Sequence, residues 1–118
     1  MSGSLVKILI VDDNEDVREM LSFCLKHKGF EVFLADNGLT ALEILEKNVV
    51  DLVLSDIDMP KMDGMELLIA IKKKYTTPVY IATGGTKYSK EELLKQGATA
   101  YFEKPFDVDY LLRRRFVG

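Results

Sequence analysis

The stretch Lys7-Ile8-Leu9-Ile10-Val11-Asp12-Asp13 decides how the rest of the chain is read. Its first part is short, rich in β-branched residues and almost wholly apolar, with no polar alternation to mark a wet face. That pattern suits a strand buried on both sides, as in a parallel sheet covered by helices. Two aspartates then stand at its carboxyl end. Asn14 is placed to cap a helix whose apolar residues Val17, Met20, Leu21, Cys24 and Leu25 recur at helical spacing, and Gly29 ends that helix as a left-handed cap.

The same alternation continues outward from this first unit. A strand is expected over Phe30 to Ala35, a helix over Leu39 to Asn48, and a strand over Leu52-Val53-Leu54-Ser55-Asp56. After a loop containing Pro60, Asp63 and Glu66 make a capping-box pattern before a helix with Met65, Leu67, Leu68 and Ile71, which runs to about Lys74. Pro78 precedes a strand from Val79 to Thr83. Ser89 and Glu92 make a second capping box before a short helix closed by Gly97. A strand from Thr99 to Glu103 and a helix from Asp107 complete the chain, the helix turning Val108, Leu111, Leu112 and Phe116 to the core. Strands alternating with helices across connections this short must lie parallel, through right-handed crossovers. The result is a doubly wound α/β sheet with helices on both faces.

The chain has 118 residues, which suffices for one domain, and 47% hydrophobic residues supply a core without staples. No repeat or low-complexity linker divides it; residues 1–4 are read as a flexible N-terminus or expression scar and 5–118 as the domain. Cys24 is the single cysteine and cannot form an intrachain bridge, which favours a reduced, cytoplasmic setting. With 16 basic against 19 acidic residues the net charge is −3, so no positive field is available to hold nucleic-acid phosphates. No apolar run approaches the ~18 residues of a membrane span, so no membrane insertion is expected.

In an open sheet of this kind ligands gather at the strand carboxyl ends, where strand order reverses. Asp12 and Asp13 end the first strand, Asp56 the third and Thr83 the fourth, and Lys104 follows the fifth. Three carboxylates converging there would repel one another unless a cation neutralised them, and all-oxygen ligands favour a hard divalent ion such as magnesium or manganese. Thr83 can donate a hydroxyl hydrogen bond to a phosphoryl oxygen and Lys104 can add a point charge. A carboxylate can act as nucleophile to form an acyl phosphate. The chemistry indicated is phosphoryl transfer onto aspartate.

At this point the sequence resembles the receiver domains of two-component response regulators, for which CheY is the single-domain example with a flavodoxin-like fold and strand order 2-1-3-4-5. The resemblance spans about residues 6 to 116 and rests on Val11-Asp12-Asp13, on Asp56-Ile57-Asp58-Met59-Pro60-Lys61-Met62-Asp63-Gly64, on Pro78-Val79-Tyr80-Ile81-Ala82-Thr83, and on Lys104-Pro105-Phe106. It implies Asp56 as phosphoacceptor, with Asp13 and Asp56 binding magnesium directly, Asp12 holding it through water, and the Asp58 backbone carbonyl as a further ligand. It implies Thr83 and Lys104 on the phosphoryl oxygens, a cis Lys104-Pro105 bond, and Tyr101 as an aromatic switch that turns inward as Thr83 shifts. The implied partners are a sensor histidine kinase or phosphotransfer protein, and an output protein or domain met by the fourth helix, fifth strand and fifth helix. The implied activity is that of a switch with weak self-phosphorylation and self-dephosphorylation, not of an enzyme.

Three features depart from the family pattern. Gly84-Gly85 follows Thr83, which predicts a loose loop; Asp58 places an acid two residues after Asp56, at a position that tunes phosphoryl lifetime; and the last helix stops at Gly118, earlier than usual. A second reading is a haloacid-dehalogenase-type magnesium phosphotransferase using Asp56 and Asp58, but in that family the Asp-x-Asp strand comes before the acidic pair. A flavin carrier or plain interaction module fits poorly, because an acidic triad repels a flavin phosphate. Read without any site, Asp12-Asp13 is a helix-cap pair, Lys104 a solvated lysine and Tyr101 a sheet aromatic. His27 suits the dipole at its helix end, so a donor histidine must come from a partner. Arg113-Arg114-Arg115 reads as a solvated helix end, and Met20, Met59, Met62 and Met65 read as packing residues.

Overall fold

The computed structural model describes residues 5–117, and the side chains of residues 5–113. Strands β1 (Lys7–Val11), β2 (Glu31–Ala35), β3 (Leu52–Ser55), β4 (Val79–Thr83) and β5 (Ala100–Glu103) alternate with helices α1 (Glu15–His27), α2 (Gly38–Lys47), α3 (Gly64–Lys74), α4 (Lys90–Lys95) and α5 (Val108–Val117). They form a single sheet in the order β2-β1-β3-β4-β5, with every neighbouring pair parallel. Ile8 stands between Val32 and Leu52, and Tyr80 stands beside Ala100. The expected flavodoxin-like architecture is what the chain adopts, with element ends moved by a single residue in α2, α5, β2, β3 and β5.

Strand side chains alternate between two apolar layers. Leu9, Val11, Val53, Val79 and Ile81 pack with Ala41 and Leu45 of α2, Leu67, Leu68 and Ile71 of α3, and Leu93 of α4. Ile8, Ile10, Leu52, Leu54, Tyr80 and Phe102 pack with Leu21 and Leu25 of α1 and Leu111 of α5. Burial on both faces explains why these strands carry no polar alternation.

Local chemistry sets the helix ends. Asn14 accepts from the Val17 amide at 3.1 Å, and both predicted capping boxes form, at Asp63 with Glu66 and at Ser89 with Glu92. Gly29 and Gly97 take φ of +96° and +109°, where a side chain would be strained. Met20 departs from its expected packing role and is 53% exposed, because α1 covers the sheet through Leu21 and Leu25 and Met20 falls on the outer flank. Val108 and Leu112 pack against the core edge as expected. The side chains of Phe116, Arg114 and Arg115, and residues 1–4, lie outside the described residues. Arg113 is exposed, with its guanidinium 5.8 Å from the centre of the Tyr110 ring.

Candidate functional site

The sheet ladder runs on into the loops that carry the acidic residues. The Asp12 amide donates to the Ala35 carbonyl at 3.1 Å, the Asp56 amide to Val11 at 2.9 Å, and the Lys104 amide to Thr83 at 3.1 Å. The backbone under each side chain is therefore fixed by the fold rather than by loop packing. Asp12 is 3% exposed and Asp56 is 9% exposed, Thr83 is buried, Lys104 is half-buried and Asp13 is exposed. One carboxylate oxygen from each of Asp12, Asp13 and Asp56 lies within 4.8 Å of the others.

Lys104 Nζ donates to Asp12 Oδ2 at 2.7 Å and sits 3.2 Å from Asp56 Oδ2. The remaining oxygens are engaged by backbone, with Asn14 donating to Asp12 Oδ1 at 2.9 Å and Ile57 to Asp56 Oδ1 at 2.7 Å. The Asp13 carboxylate has no protein partner among the described residues. Burial pushes the Asp56 carboxyl above its ordinary range, and the Lys104 charge and the Ile57 amide only partly counter it. Burial alone would pull Lys104 down, but its bond to Asp12 and the Asp56 charge hold it above the ordinary lysine value. One ammonium against three carboxylates leaves an uncompensated negative surplus in a half-buried pocket. That donor set suits a hard divalent cation, with all-oxygen ligands at the mouth.

The loops leaving β3 and β4 enclose the site. Gly64 starts α3 directly beneath Asp56; a Cβ there would come 2.1 Å from the Asp56 carbonyl oxygen and 2.8 Å from the Ile57 Cα. Met62 packs on Gly38 at the start of α2, and Lys61 takes a left-handed φ of 67°. In the Gly84-Gly85 loop, expected to be loose, Gly85 makes one hydrogen bond and one close approach. The Gly85 amide donates to Thr83 Oγ1 at 3.1 Å, and a Cβ on Gly85 would lie 2.8 Å from Asp58 Oδ2, so the glycine admits the Asp58 carboxylate. Farther along, Lys87 and Tyr88 bind Asp63. Tyr101 is half-buried and lines a cleft of 970 Å³ with Tyr88, Phe106 and Tyr110. The Lys104-Pro105 bond is cis. His27 lies exposed in the last turn of α1, its ring stacked 6.3 Å from Phe23, away from the acidic cluster.

Residues 8–115 match the response regulator receiver domain family. The chain belongs to that family. The transcriptional regulatory protein ZraR of Klebsiella oxytoca is 45% identical over 113 residues, which are 94% of this chain and 26% of that protein. A CheY-like receiver domain protein from Methanospirillum hungatei superposes with a TM-score of 0.87 at 33% identity, covering 95% of this chain and 91% of that one. The response regulator protein TrrA of Thermotoga maritima, solved in complex with Mg(2+)-BeF, gives 0.84 at 33% identity, covering 94% and 96%. This receiver domain spans between about a quarter and a half of the length of the curated relatives it matches. It is a signalling switch of the two-component type, and the phosphotransferase alternative is not favoured. No described helix is long and apolar enough to cross a membrane.

Two site neighbours escaped the sequence reading. The Arg18 guanidinium, from the first turns of α1, donates to the Asp12 carbonyl at 2.7 Å; a cation shortly after Asp12-Asp13 was the available signal. Asp63 reads in the sequence as a helix cap inside the motif from Asp56 to Gly64, with no partner assigned to its second oxygen. Burial would raise its carboxyl, but hydrogen bonds from Lys87, the Glu66 amide and Tyr88 outweigh it and hold it below the ordinary value. A carboxyl depressed in the folded state stabilises above its unfolded pKa of about 3.9 and loses that contribution as pH falls through the folded value. The stability gap between wild type and Asp63→Asn, measured by urea unfolding, is therefore expected to be constant above about pH 5 and to shrink below about pH 4. A gap independent of pH would contradict the assignment.

Proposed function

We propose that this receiver domain, read as residues 5–118, takes a phosphoryl group from a partner's phosphohistidine onto Asp56. The observation that carries the reading is the buried Asp56 carboxylate, held 3.2 Å from the Lys104 ammonium inside a three-carboxylate cluster. An Asp56 oxygen forms the new bond to phosphorus as the histidine nitrogen–phosphorus bond breaks, and the imidazole leaves with the electron pair and takes up a proton. Lys104 and the Thr83 hydroxyl are assigned to the phosphoryl oxygens, so Thr83 follows the group and passes its arrival to Tyr101. Later attack of water on phosphorus returns the free carboxylate, slowly, because the described site holds no general base dedicated to that water.

Asp13 and Asp56 are assigned as direct ligands of magnesium or manganese. Asp12 is assigned through water, which agrees with both of its oxygens being engaged, and the Asp58 carbonyl accepts no hydrogen bond among the described residues. When bound, the ion supplies charge neutralisation for the approaching phosphoryl oxygens. Asp13→Ala is expected to weaken magnesium binding by more than about tenfold with the fold intact, read by fluorescence or NMR titration. An unchanged titration would place the metal elsewhere. The setting is cytoplasmic, and the output surface is the cleft around Tyr101, formed by α4, β5 and α5.

Asp58 separates this function from ester hydrolysis. Its carboxylate rests against Gly85, not in a hydrogen bond to Asp56. Asp58→Asn is expected to be labelled by acetyl phosphate nearly to completion, with a changed lifetime of the label. The wild type is expected to show no multiple turnover of small phosphate esters at ordinary enzyme rates of about 1–10³ s⁻¹. Turnover by the wild type that Asp58→Asn abolishes would make the chain an enzyme, since a general acid is worth about 10²–10⁴-fold.

A further inference from the structure

The loop between β4 and α4 is fastened at both ends. At its start the Gly85 amide donates to Thr83 Oγ1 at 3.1 Å. At its far end the Lys87 ammonium and the Tyr88 hydroxyl donate to one oxygen, Asp63 Oδ2, at 2.8 and 2.9 Å. The other oxygen of Asp63 accepts from the Glu66 amide at 2.9 Å and caps α3. A single carboxylate with a side chain only 10% exposed thus ties the loop that leaves Thr83 to the loop that leaves Asp56. The Tyr88 ring packs against the same apolar layer as Tyr101 and lines the same cleft, so the tie also reaches the face through which Tyr101 would report.

We propose that Asp63, Lys87 and Tyr88 form a latch that holds the β4–α4 loop in the position it has in this structure and opens when Thr83 follows a phosphoryl group on Asp56. The proposal rests on the phosphoacceptor reading of Asp56. With the loop pinned at Thr83 and at Tyr88, a displacement of the threonine toward Asp56 pulls on the far fastening. A contact made in one of two states stabilises that state, and its removal raises the apparent affinity of any ligand that selects the other. The three are positioning residues: they touch neither Asp56 nor the metal set.

Tyr88→Phe removes a donor and keeps the ring, Lys87→Met removes the charge and keeps the stem, and Asp63→Asn keeps a capping side chain. In the ligand-free protein, exchange of the Gly85 and Ser89 amides is expected to quicken about tenfold in Tyr88→Phe and Lys87→Met, while core amides of β1 are unchanged. With magnesium and beryllofluoride, a phosphoryl mimic, the same variants are expected to bind about three- to tenfold more tightly than wild type. A merely structural role predicts equal or weaker binding. Loop exchange unchanged in both variants would overturn the latch, and so would faster exchange with equal or weaker beryllofluoride affinity. Failure of the wild type to bind beryllofluoride more tightly than Asp56→Asn is the separate failure of the phosphoacceptor reading. In that case ligand-free exchange alone decides whether the latch holds the loop.

Discussion

Gly64→Ala is expected to destabilise the domain by about 3 kcal/mol, the upper end of the usual range for overpacking, and to take phosphoryl acceptance down with it. The new Cβ would stand 2.1 Å from the Asp56 carbonyl oxygen and 2.8 Å from the Ile57 Cα, and both are backbone atoms with no rotamer to change. Relief requires moving either the start of α3 or the loop after β3. The first is held by the Asp63–Glu66 capping box and by the Gly64 amide on the Ile57 carbonyl at 2.9 Å. The second carries the Asp56 side chain, whose distance to Lys104 would change with it. Gly38 is the internal contrast: a Cβ there meets the flexible Met62 side chain, which can swing away, so Gly38→Ala is expected to cost less. Urea unfolding of both variants checks this, and a Gly64→Ala stability within about 0.5 kcal/mol of wild type would contradict the close approach.

This close approach shows which parts of the molecule were legible in the sequence. Ile8 to Val11 and Leu52 to Leu54 announced strands buried on both faces because no polar residue interrupts them, and Asn14, Asp63 and Ser89 announced helix starts because capping is local chemistry. Once the strands were parallel, the strand ends brought Asp12, Asp13, Asp56, Thr83 and Lys104 to one edge without any knowledge of side-chain contacts. What was not legible depends on partners distant in the chain. Asp63 read as a cap within the motif from Asp56 to Gly64, and its further role was hidden, since its second oxygen is filled by Lys87 and Tyr88, which no spacing rule connects to it. Gly85 signals backbone freedom in the sequence, but that it also marks where the Asp58 carboxylate comes close depends on a partner far back in the chain. Met20 fits a helical stripe by spacing, but how much of a stripe is covered depends on the width of the sheet beneath it.

The second large effect concerns Asp56 itself. Its carboxylate is buried, held by the Ile57 amide at 2.7 Å and faced by Lys104, and burial raises its proton affinity; on the proposed reading it is the nucleophile, poised against a cation rather than solvated. Asparagine at this position preserves shape and the hydrogen bond from Ile57 but offers a weak, uncharged nucleophile and removes one of the three clustered carboxylates. Its folding stability is expected to stay near or above wild type, because it relieves like-charge repulsion with Asp12. Labelling is expected to fall to nothing. Loss of label with the fold intact therefore reads chemistry and not damage.

The most direct measurement is intact mass after incubation with acetyl phosphate and magnesium, for wild type and Asp56→Asn side by side. The expected result is one phosphoryl group gained by the wild type, lost again on standing, and none gained by Asp56→Asn. Equal labelling of the two proteins, or no labelling of a folded, magnesium-binding wild type, would contradict Asp56 as the phosphoacceptor.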